Sequence, residues 1–100
     1  MTDACLLTLI SAPGMEETLI DWLLAQEEIS GFSSTEIYGH GSRSTHLSLL
    51  EQVTGRQKRV QFMIHTRAEV AKQLIEDLIQ KYPDTGLHYL IIPILDAGQI

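Results

Sequence analysis

The spacing of apolar residues alternates between strand-like and helical periods along the first half of the chain. Residues 4–10 form an almost unbroken apolar run closed by a Pro-Gly turn, which is typical of a central strand covered on both faces or by an oligomer partner. Helical spacing follows over residues 15–27, and this pattern predicts a first helix. Residues 32–38 are rich in β-branched and aromatic side chains, which predicts a second strand with Thr35 and Ile37 on one face.

The second half of the chain repeats this order with clearer signals. Residues 60–65 alternate between apolar and polar side chains, which is the period of a half-buried strand. Thr66 and Glu69 have the spacing of a capping box, in which each side chain satisfies a backbone N–H at a helix start. We therefore expect a second helix to begin there, with Asp77 and Lys81 as an ion pair one turn apart. Its apolar stripe consists of Val70, Ala71, Leu74, Ile75, Leu78 and Ile79.

A fourth strand over residues 87–95 completes the pattern. Pro93 interrupts this strand, and because proline cannot donate a ladder hydrogen bond, we expect the strand at a sheet edge or a bulge. The β-α-β-β-α-β order with right-handed crossovers predicts a ferredoxin-like α+β fold, with two helices on one face of a four-stranded antiparallel sheet. A chain of 100 residues has the size of one domain, so residues 1–100 are expected to form a single domain.

The apolar first and last strands have a consequence for assembly. Both are apolar on two sides, whereas the predicted helices cover one face of the sheet. The other face would then be a large exposed apolar patch, which monomers rarely tolerate. We therefore expect a homo-oligomer.

Composition and charge exclude several classes of partner. The chain is 44% hydrophobic and carries a net charge of −6, which is unfavourable for binding nucleic acid or anionic lipid because both require clustered Lys and Arg. No apolar run reaches the ~20 residues of a membrane-spanning helix, and the first residues lack the positive region of a secretory signal. We expect a cytoplasmic protein that neither inserts into a membrane nor binds nucleic acid. The single cysteine, Cys5, lies in the first apolar run and is predicted to be a buried core residue.

The segment between the second and third strands, residues 39–58, is too long for a hairpin turn. Long loops in compact domains are usually functional or disordered. Of the seven Lys and Arg residues in the chain, those in or beside this loop are Arg43, Arg56, Lys58 and Arg59. They make a local positive site on a negative protein, which favours an anionic ligand or an acidic partner surface.

A strand ends in Gly39-His40-Gly41, and a long polar loop, a strand and a helix follow it. In this order of its elements the chain resembles the nitrogen-regulatory PII proteins and their PII-like relatives. The resemblance covers nearly the whole chain. It implies a homotrimer whose sheets pack inward, with ligands bound in clefts between subunits near the loop base. It also implies that the long loop, the T-loop of that family, changes shape to engage a partner protein, with residues 43–58 as its mobile segment. The predicted ligand-binding set is Gly39, His40, Gly41, Arg43, Arg56 and Lys58.

The chain departs from the PII proteins that bind ATP. Those members have a glycine-rich segment with a lysine before the last strand, and arginines at the end of that strand. Here residues 82–86 contain no lysine and residues 87–95 contain no Lys or Arg, which argues against nucleotide binding of the usual PII kind. The chain resembles a minimal PII-like member, similar to a family of unassigned function met beside heavy-metal efflux systems. An adenine nucleotide stays a candidate ligand, and a membrane transporter is a candidate partner.

Histidines in the same loop support a second hypothesis. His40 and His46 could together ligate a divalent transition metal, since imidazole suits copper, zinc and nickel. Exposure to solvent as ordinary polar loop residues is the alternative for both, and His65 and His88 are predicted to lie on strands as hydrogen-bonded sheet residues. The two functional hypotheses are a PII-like regulatory protein that acts through its loop, and a metal-responsive or heavy-metal-tolerance accessory protein like CutA.

No constellation of residues in the sequence predicts catalysis. The chain has no nucleophile beside a plausible base, no phosphate-cradling loop of the Gly-rich Lys-Ser type, and no pair of acids in an apolar setting. We therefore expect a protein that is not an enzyme.

Overall fold

The structure, a computed structural model, describes residues 3–40 and 56–100 of the chain. Over these residues the strands form one antiparallel sheet with the helices on one face. This arrangement confirms the predicted α+β, ferredoxin-like fold. In chain order the elements are β1 (Ala4–Ser11), a short 3-10 helix (Pro13–Met15), α1 (Glu16–Leu24), β2 (Ser33–Gly39), β3 (Gln57–Arg67), α2 (Ala68–Lys81) and β4 (His88–Pro93). The sheet order is β2-β3-β1-β4.

β1 lies in the interior of the sheet, as its apolar run predicts. It pairs with β3 on one side and with β4 on the other, so that Leu7 lies opposite both Ile64 and Ile91. Residues directly opposite each other share a face of the sheet, and Leu7 and Ile64 are fully buried. The core forms between this face and the helices. The strands contribute Cys5, Leu7, Leu9, Val60, Phe62 and Ile64, and the helices contribute Leu19, Trp22, Leu23, Val70, Ala71, Leu74, Ile75 and Leu78.

α1 ends at Leu24, before the predicted end at residue 27. The Gln26 backbone N–H donates to the Leu23 carbonyl at 3.1 Å, which is the tighter spacing of a terminating helix. Glu27 and Glu28 follow, and carboxylates are unfavourable at the negative end of a helix dipole. The acidic pair therefore gives a physical reason for the earlier end.

The predicted capping box at the start of α2 is wrong. Thr66 lies inside β3, and Arg67 occupies the N-cap position in an extended conformation with φ −82° and ψ 150°. No described side chain caps the helix, and Glu69 instead forms an ion pair with the Arg67 guanidinium at 2.9 Å. The Ala68 N–H donates to the Asp3 carbonyl at 2.9 Å. Pairing with β1 holds Thr66 extended, so the ladder overrides the local capping signal.

The apolar stripe of α2 is confirmed except at its last member. Ile79 is 60% exposed, whereas the other five residues of the stripe are buried. Asp77 and Lys81, both described, do not form the predicted ion pair. Asp77 accepts a hydrogen bond from Gln73 Nε2 at 3.0 Å, and the Lys81 ammonium lies 5.7 Å from the centroid of the Tyr82 ring. Within the described ranges, neither this helix nor α1 is long and apolar enough to cross a membrane.

β4 is an edge strand, as Pro93 predicts. Among the described strands it pairs with β1 alone, and it is shorter than the predicted 87–95. Pro93 ends the strand, and the Ile94 N–H then donates to the Ala4 carbonyl at 3.2 Å. The residues after β4 are therefore tied to the sheet at their first position.

The sheet face opposite the helices carries a patch of apolar side chains and has no covering layer among residues 3–40 and 56–100. On this open face Thr8 lies opposite Met63 on β3 and opposite Leu90 on β4. Met63 is 37% exposed and Leu90 is 46% exposed, and Ile92 beside them is 44% exposed. The apolar patch expected from the first and last strands is present.

Cys5 lies in the core, as predicted, with 2% of its surface exposed. Burial raises the pKa of its thiol above the ordinary value of 9.0, and the negative charge of Asp3 raises it further. A thiol in this setting is a structural residue rather than a reactive one.

Candidate functional site

The β2–β3 ladder extends into the predicted loop from both sides. β2 continues to Gly39 and β3 begins at Gln57, and these two residues are paired. Lys58, predicted as a loop residue, lies opposite Tyr38. The predicted bounds of 39–58 are therefore wrong at both ends, because antiparallel pairing satisfies the backbone groups of these polar residues as well as those of the apolar ones before them.

A cationic cluster lies where this ladder ends. The Arg56 guanidinium lies over the Tyr38 ring, 4.3 Å from its centroid, in the geometry of a cation–π contact. Lys58 lies opposite Tyr38 and shares its face of the ladder. We call Tyr38, Arg56 and Lys58 the loop-base cluster.

Arg59 and Gln57 lie on the other face of the same ladder. Gln57 lies opposite Gly39 and Arg59 lies opposite Ile37, which the register assigns to the open face of the sheet. The Arg59 guanidinium donates to the Gln57 side-chain oxygen through Nη2, and to the Lys58 carbonyl at 3.3 Å through Nη1. Arg59 is therefore fixed by its own strand, and cationic groups are present on both faces of the loop base.

Among residues 3–40 and 56–100, an acidic residue shares the sheet face of the loop-base cluster. Glu36 precedes Tyr38 by two residues on β2, so both side chains lie on the face that carries Lys58. Its charge offsets part of the positive charge that Arg56 and Lys58 contribute on a chain of net charge −6. An anion with hydrogen-bond acceptors suits such a cluster, because Arg and Lys both present donors.

Sequence reasoning selected Arg56 and Lys58 but missed Tyr38. The available signal was an aromatic residue directly before the Gly39 strand end, in a loop that returns with several basic residues. An exposed aromatic ring at such a position is a platform for a guanidinium. Tyr38 is 46% exposed, so its other edge remains accessible to solvent.

Gly39 and His40 are described, whereas the remaining predicted residues of the loop base are not. Gly39 is an extended strand residue, and a Cβ there would meet Arg59 Cγ at 3.8 Å, an ordinary contact. Neither a positive φ nor a close approach within the described chain requires glycine at this position. His40 follows it and is exposed. Gly41, Arg43 and His46 lie outside the described residues.

The histidines in the described ranges do not form a metal centre. No group of three or more His, Cys, Asp or Glu residues in positions 3–40 and 56–100 could hold a metal ion. His65 lies opposite Leu6 and His88 lies opposite Ile10, so the two belong to the open face of the sheet, on the strands where they were predicted. The predicted pair of His40 and His46 stays a prediction.

A second concave feature, which the sequence did not indicate, lies on the helix side of the sheet. It is an open apolar groove of about 240 Å³ between the end of α2, the connection to β4 and the start of β4. That connection turns tightly, with Asp84 at φ 58° and Gly86 at φ 73°. The Thr85 hydroxyl donates to the Tyr82 carbonyl at 3.0 Å. We call this feature the α2–β4 groove; its walls include the exposed Ile79 and Tyr89 and the half-buried Tyr82 and Leu87.

The family of the chain follows from comparison with known sequences. The model of the DUF3240 family, described as a protein of unknown function, matches residues 1–100. The chain belongs to this family. No curated protein matches it. The whole described fold, including the loop-base cluster and the α2–β4 groove, therefore lies within the DUF3240 region.

Solved structures support the same assignment, and a PII-like protein shares the fold. A DUF3240 family protein from Shewanella baltica is 25% identical, has a TM-score of 0.80, and is matched over 100% of this chain and 99% of its own. A protein from Thermus thermophilus that is described as a PII-like signalling protein is 19% identical, with a TM-score of 0.63 and 88% and 83% of the two chains covered.

A further likeness is to a metal-tolerance protein. The periplasmic divalent cation tolerance protein CutA from Archaeoglobus fulgidus is 11% identical, with a TM-score of 0.70 and 96% and 88% of the two chains covered. At these identities the likeness to the Thermus and Archaeoglobus proteins shows a shared fold. The predicted resemblance to PII-like proteins is confirmed at the level of the fold, and membership of a family of unassigned function is confirmed.

Proposed function

We propose that this DUF3240 protein is a PII-like regulatory protein that binds an anionic ligand at its loop-base cluster and acts through the adjoining loop on a partner protein. The observation that carries the proposal is the Arg56 guanidinium held over the Tyr38 ring beside Lys58. The fold shared with a protein described as a PII-like signalling protein supports it.

The geometry of the cluster favours ligand binding over a purely structural role. Tyr38 and Lys58 lie on paired strands, so their backbone positions are fixed before a ligand arrives. The ring contact holds the Arg56 side chain, which reduces the rotamer entropy that binding must remove. A preorganised pair of cations on an acidic protein is a site for an anion such as a phosphate group.

The position of the loop-base cluster beside the loop explains how anion binding there would regulate a partner. Arg56 directly follows the part of the loop outside the described residues, and Tyr38 precedes it by a few positions. An anion that bridges Arg56 and Lys58 would draw the returning end of the loop onto β3 and change which loop conformations are populated.

The further residues that we propose for this loop-base site are Gly39, His40, Gly41 and Arg43. A membrane transporter is the partner class that we propose.

Assembly and cellular location belong to the same proposal. We propose a homotrimer in which the open face of the sheet packs inward, because Met63, Leu90 and Ile92 would otherwise remain exposed to water. We also propose that the protein is cytoplasmic and that it binds its ligand without transforming it.

Thermal shift with defined anions tests the ligand proposal. ATP, ADP, AMP and inorganic phosphate are added separately to wild type and to Arg56→Gln, with Lys72→Gln as the matched control because Lys72 is an exposed cation on α2. We expect at least one anion to raise the Tm of wild type and of Lys72→Gln, and to leave Arg56→Gln unmoved. Equal shifts in both variants would mean that the loop-base cluster is not the site.

The partner half of the proposal needs a separate measurement. A heavy-metal efflux transporter, reconstituted in nanodiscs, would be titrated with wild type, Arg56→Gln and Lys72→Gln in the presence and absence of the stabilising anion. We expect binding that depends on the anion and is lost in Arg56→Gln alone. Binding that is identical with and without the anion would show docking without regulation.

His40 supports a second candidate function, metal binding. His40 is exposed directly after β2, and His46 lies a few residues on in the sequence. The fold is shared with CutA, a protein named for divalent cation tolerance. Copper, zinc and nickel in the same thermal-shift series, with His40→Ala and His46→Ala, test this candidate. Stabilisation by anions but by none of the three metals would eliminate it.

A further inference from the structure

The segment after β4, residues 94–100, carries apolar side chains that contact little of their own chain. Leu95 is 98% exposed and Ile100 is fully exposed. The first residue of the segment is nevertheless fixed, since the Ile94 N–H donates to the Ala4 carbonyl at 3.2 Å. The segment therefore leaves the sheet at a defined point and presents two large apolar side chains to solvent.

The α2–β4 groove is an apolar site that these side chains would suit. Its volume of about 240 Å³ accommodates branched aliphatic side chains, and it is lined mainly by carbon. Ile79 is 60% exposed and Tyr89 is 46% exposed on its walls, so the groove is unfilled by the described chain. Leu9 and Leu78, both buried, form its floor.

The groove and the segment lie at opposite ends of the same edge strand. The groove is formed at the start of β4, beside Leu87 and Tyr89, whereas the segment begins after Pro93 at the other end. A strand of this length spans about 20 Å at ~3.3 Å per residue. Neither Leu95 nor Ile100 lines the groove of its own chain, and both are exposed. One copy of the chain therefore carries an open apolar groove near the start of β4 and unpacked apolar side chains beyond the end of β4.

We propose that Leu95 and Ile100 of one copy fill the α2–β4 groove of a second copy. The contact is heterologous, because different surfaces of the two copies meet, and such contacts produce rings when the rotation closes. Each groove is incomplete until a neighbouring copy supplies its two side chains. This inference goes beyond the proposed function, since it uses neither the loop-base cluster nor the open face of the sheet.

The charges around the groove are compatible with this occupant. Asp96 follows Leu95, and Lys81 at the end of α2 lies beside Tyr82 on the groove wall, with its ammonium 5.7 Å from the ring centroid. An incoming segment would bring the Asp96 carboxylate toward the Lys81 ammonium. Asp84 on the adjoining turn is a second acidic group, and it favours an orientation in which Asp96 meets the α2 side of the groove.

Disulfide trapping between two differently tagged copies tests the proposal. One copy carries Ile79→Cys in the groove wall and the other carries Leu95→Cys. The native Cys5 is buried and does not compete. The two chains are unfolded, mixed and refolded, and then oxidised. We expect a covalent dimer that contains both tags, and none when Leu24→Cys replaces Ile79→Cys. Leu24 is the matched control because it is 70% exposed on α1, away from the groove.

A single chain that carries both Ile79→Cys and Leu95→Cys tests whether the segment instead occupies the groove of its own chain. Covalent multimers after oxidation support the proposal. A fast-migrating covalent monomer would overturn it, because the segment would then fold back into its own groove. Absence of any cross-link in either experiment would overturn it as well.

A variant without introduced cysteines tests the same contact by oligomer mass and thermal stability. Leu95→Asp/Ile100→Asp is expected to lower the mass measured by light scattering and to make the Tm fall on dilution, whereas Leu24→Asp is expected to change neither. Because the anion-induced Tm shift is measured on the loop-base cluster of each copy, it should persist in Leu95→Asp/Ile100→Asp. Unchanged mass and unchanged Tm in this double variant would contradict the proposal.

Discussion

The Arg56 guanidinium lies 4.3 Å from the centroid of the Tyr38 ring and thereby joins the two sides of the loop at its base. Tyr38 is held by the β2–β3 ladder, whereas Arg56 comes just before β3 begins. A change in the loop that moves Arg56 must therefore either break this contact or be resisted by it. Ligand binding and loop conformation meet at this pair.

Removal of the Tyr38 ring should weaken anion binding as much as loss of the charge. In Tyr38→Leu, Arg56 loses its platform and becomes mobile, so we expect the anion-induced rise in Tm to disappear. Tyr38→Phe keeps the ring face and should behave as wild type. Because the pair is exposed, its contribution to unfolding free energy is expected to be about 0.5–1 kcal/mol, measured by urea denaturation.

The two Tyr38 variants also contain the control. If Tyr38→Phe loses anion binding, the hydroxyl rather than the ring contacts the ligand. If Tyr38→Leu retains full binding, the ring does not orient Arg56 and the cluster acts through charge alone.

A charge on the open face of the sheet should prevent assembly. Leu90 lies opposite Thr8 on this face and is 46% exposed. In the proposed trimer the Leu90→Asp carboxylate would be buried without a partner, which costs several kcal/mol in an apolar interface. We expect light scattering to report a monomer with native circular dichroism. The control is Leu24→Asp, and a Leu90→Asp protein with the wild-type mass would rule out this face as the interface.

The fold could be predicted because hydrophobic periodicity reports directly on which face of each element is buried. The unbroken run of β1 and the alternation over Val60, Phe62 and Ile64 correspond to an interior position and a half-buried strand in the structure. Pro93 identified an edge because it lacks an N–H donor. The order of apolar and polar residues reflects which side chains are buried, so the sequence alone indicates these features of the fold.

The boundaries could not be predicted, because they depend on pairing with another strand. Thr66 and Glu69 satisfy the local rule for a capping box, yet register with β1 continues through Arg67 and keeps Thr66 in the ladder. Gln57 and Lys58 are polar and give no strand signal on their own, and it is their pairing with β2 that orders them.

Substitution of Thr66 distinguishes the ladder from a capping role. A Thr at an N-cap contributes about 1 kcal/mol, which would be lost on replacement by an apolar residue. In β3 the same position favours β-branched side chains. We therefore expect Thr66→Val to change the free energy of unfolding by less than about 0.5 kcal/mol. A loss near the value for a cap, measured by urea denaturation, would contradict the structural placement.

The candidate site was only partly accessible to sequence reasoning. Clustered charge identified Arg56 and Lys58, because charge is a property of the residue type. Tyr38 and the α2–β4 groove were missed, since a stacking contact and a concave surface arise from the relative positions of separate elements. The Leu95 and Ile100 side chains gave no signal for the same reason: their exposure becomes evident only once β4 ends at Pro93.

The buried thiol of Cys5 should make stability fall at high pH. Burial and Asp3 raise the pKa of this thiol above its ordinary value of 9.0, so the folded state keeps a proton that the unfolded chain releases. Stability from this group is therefore fully present below pH 9 and decreases as the pH rises from 9 toward the folded pKa, with a slope of at most about 1.4 kcal/mol per pH unit. Cys5→Ala removes the titration and leaves other groups unchanged. The difference in unfolding free energy between wild type and Cys5→Ala should be constant from pH 7 to 8. Above pH 9 the unfolding free energy of wild type should fall relative to that of Cys5→Ala. Parallel stability curves up to pH 10.5 would mean that the thiol ionises in the folded protein as easily as in the unfolded chain, and that its burial in the core is incomplete.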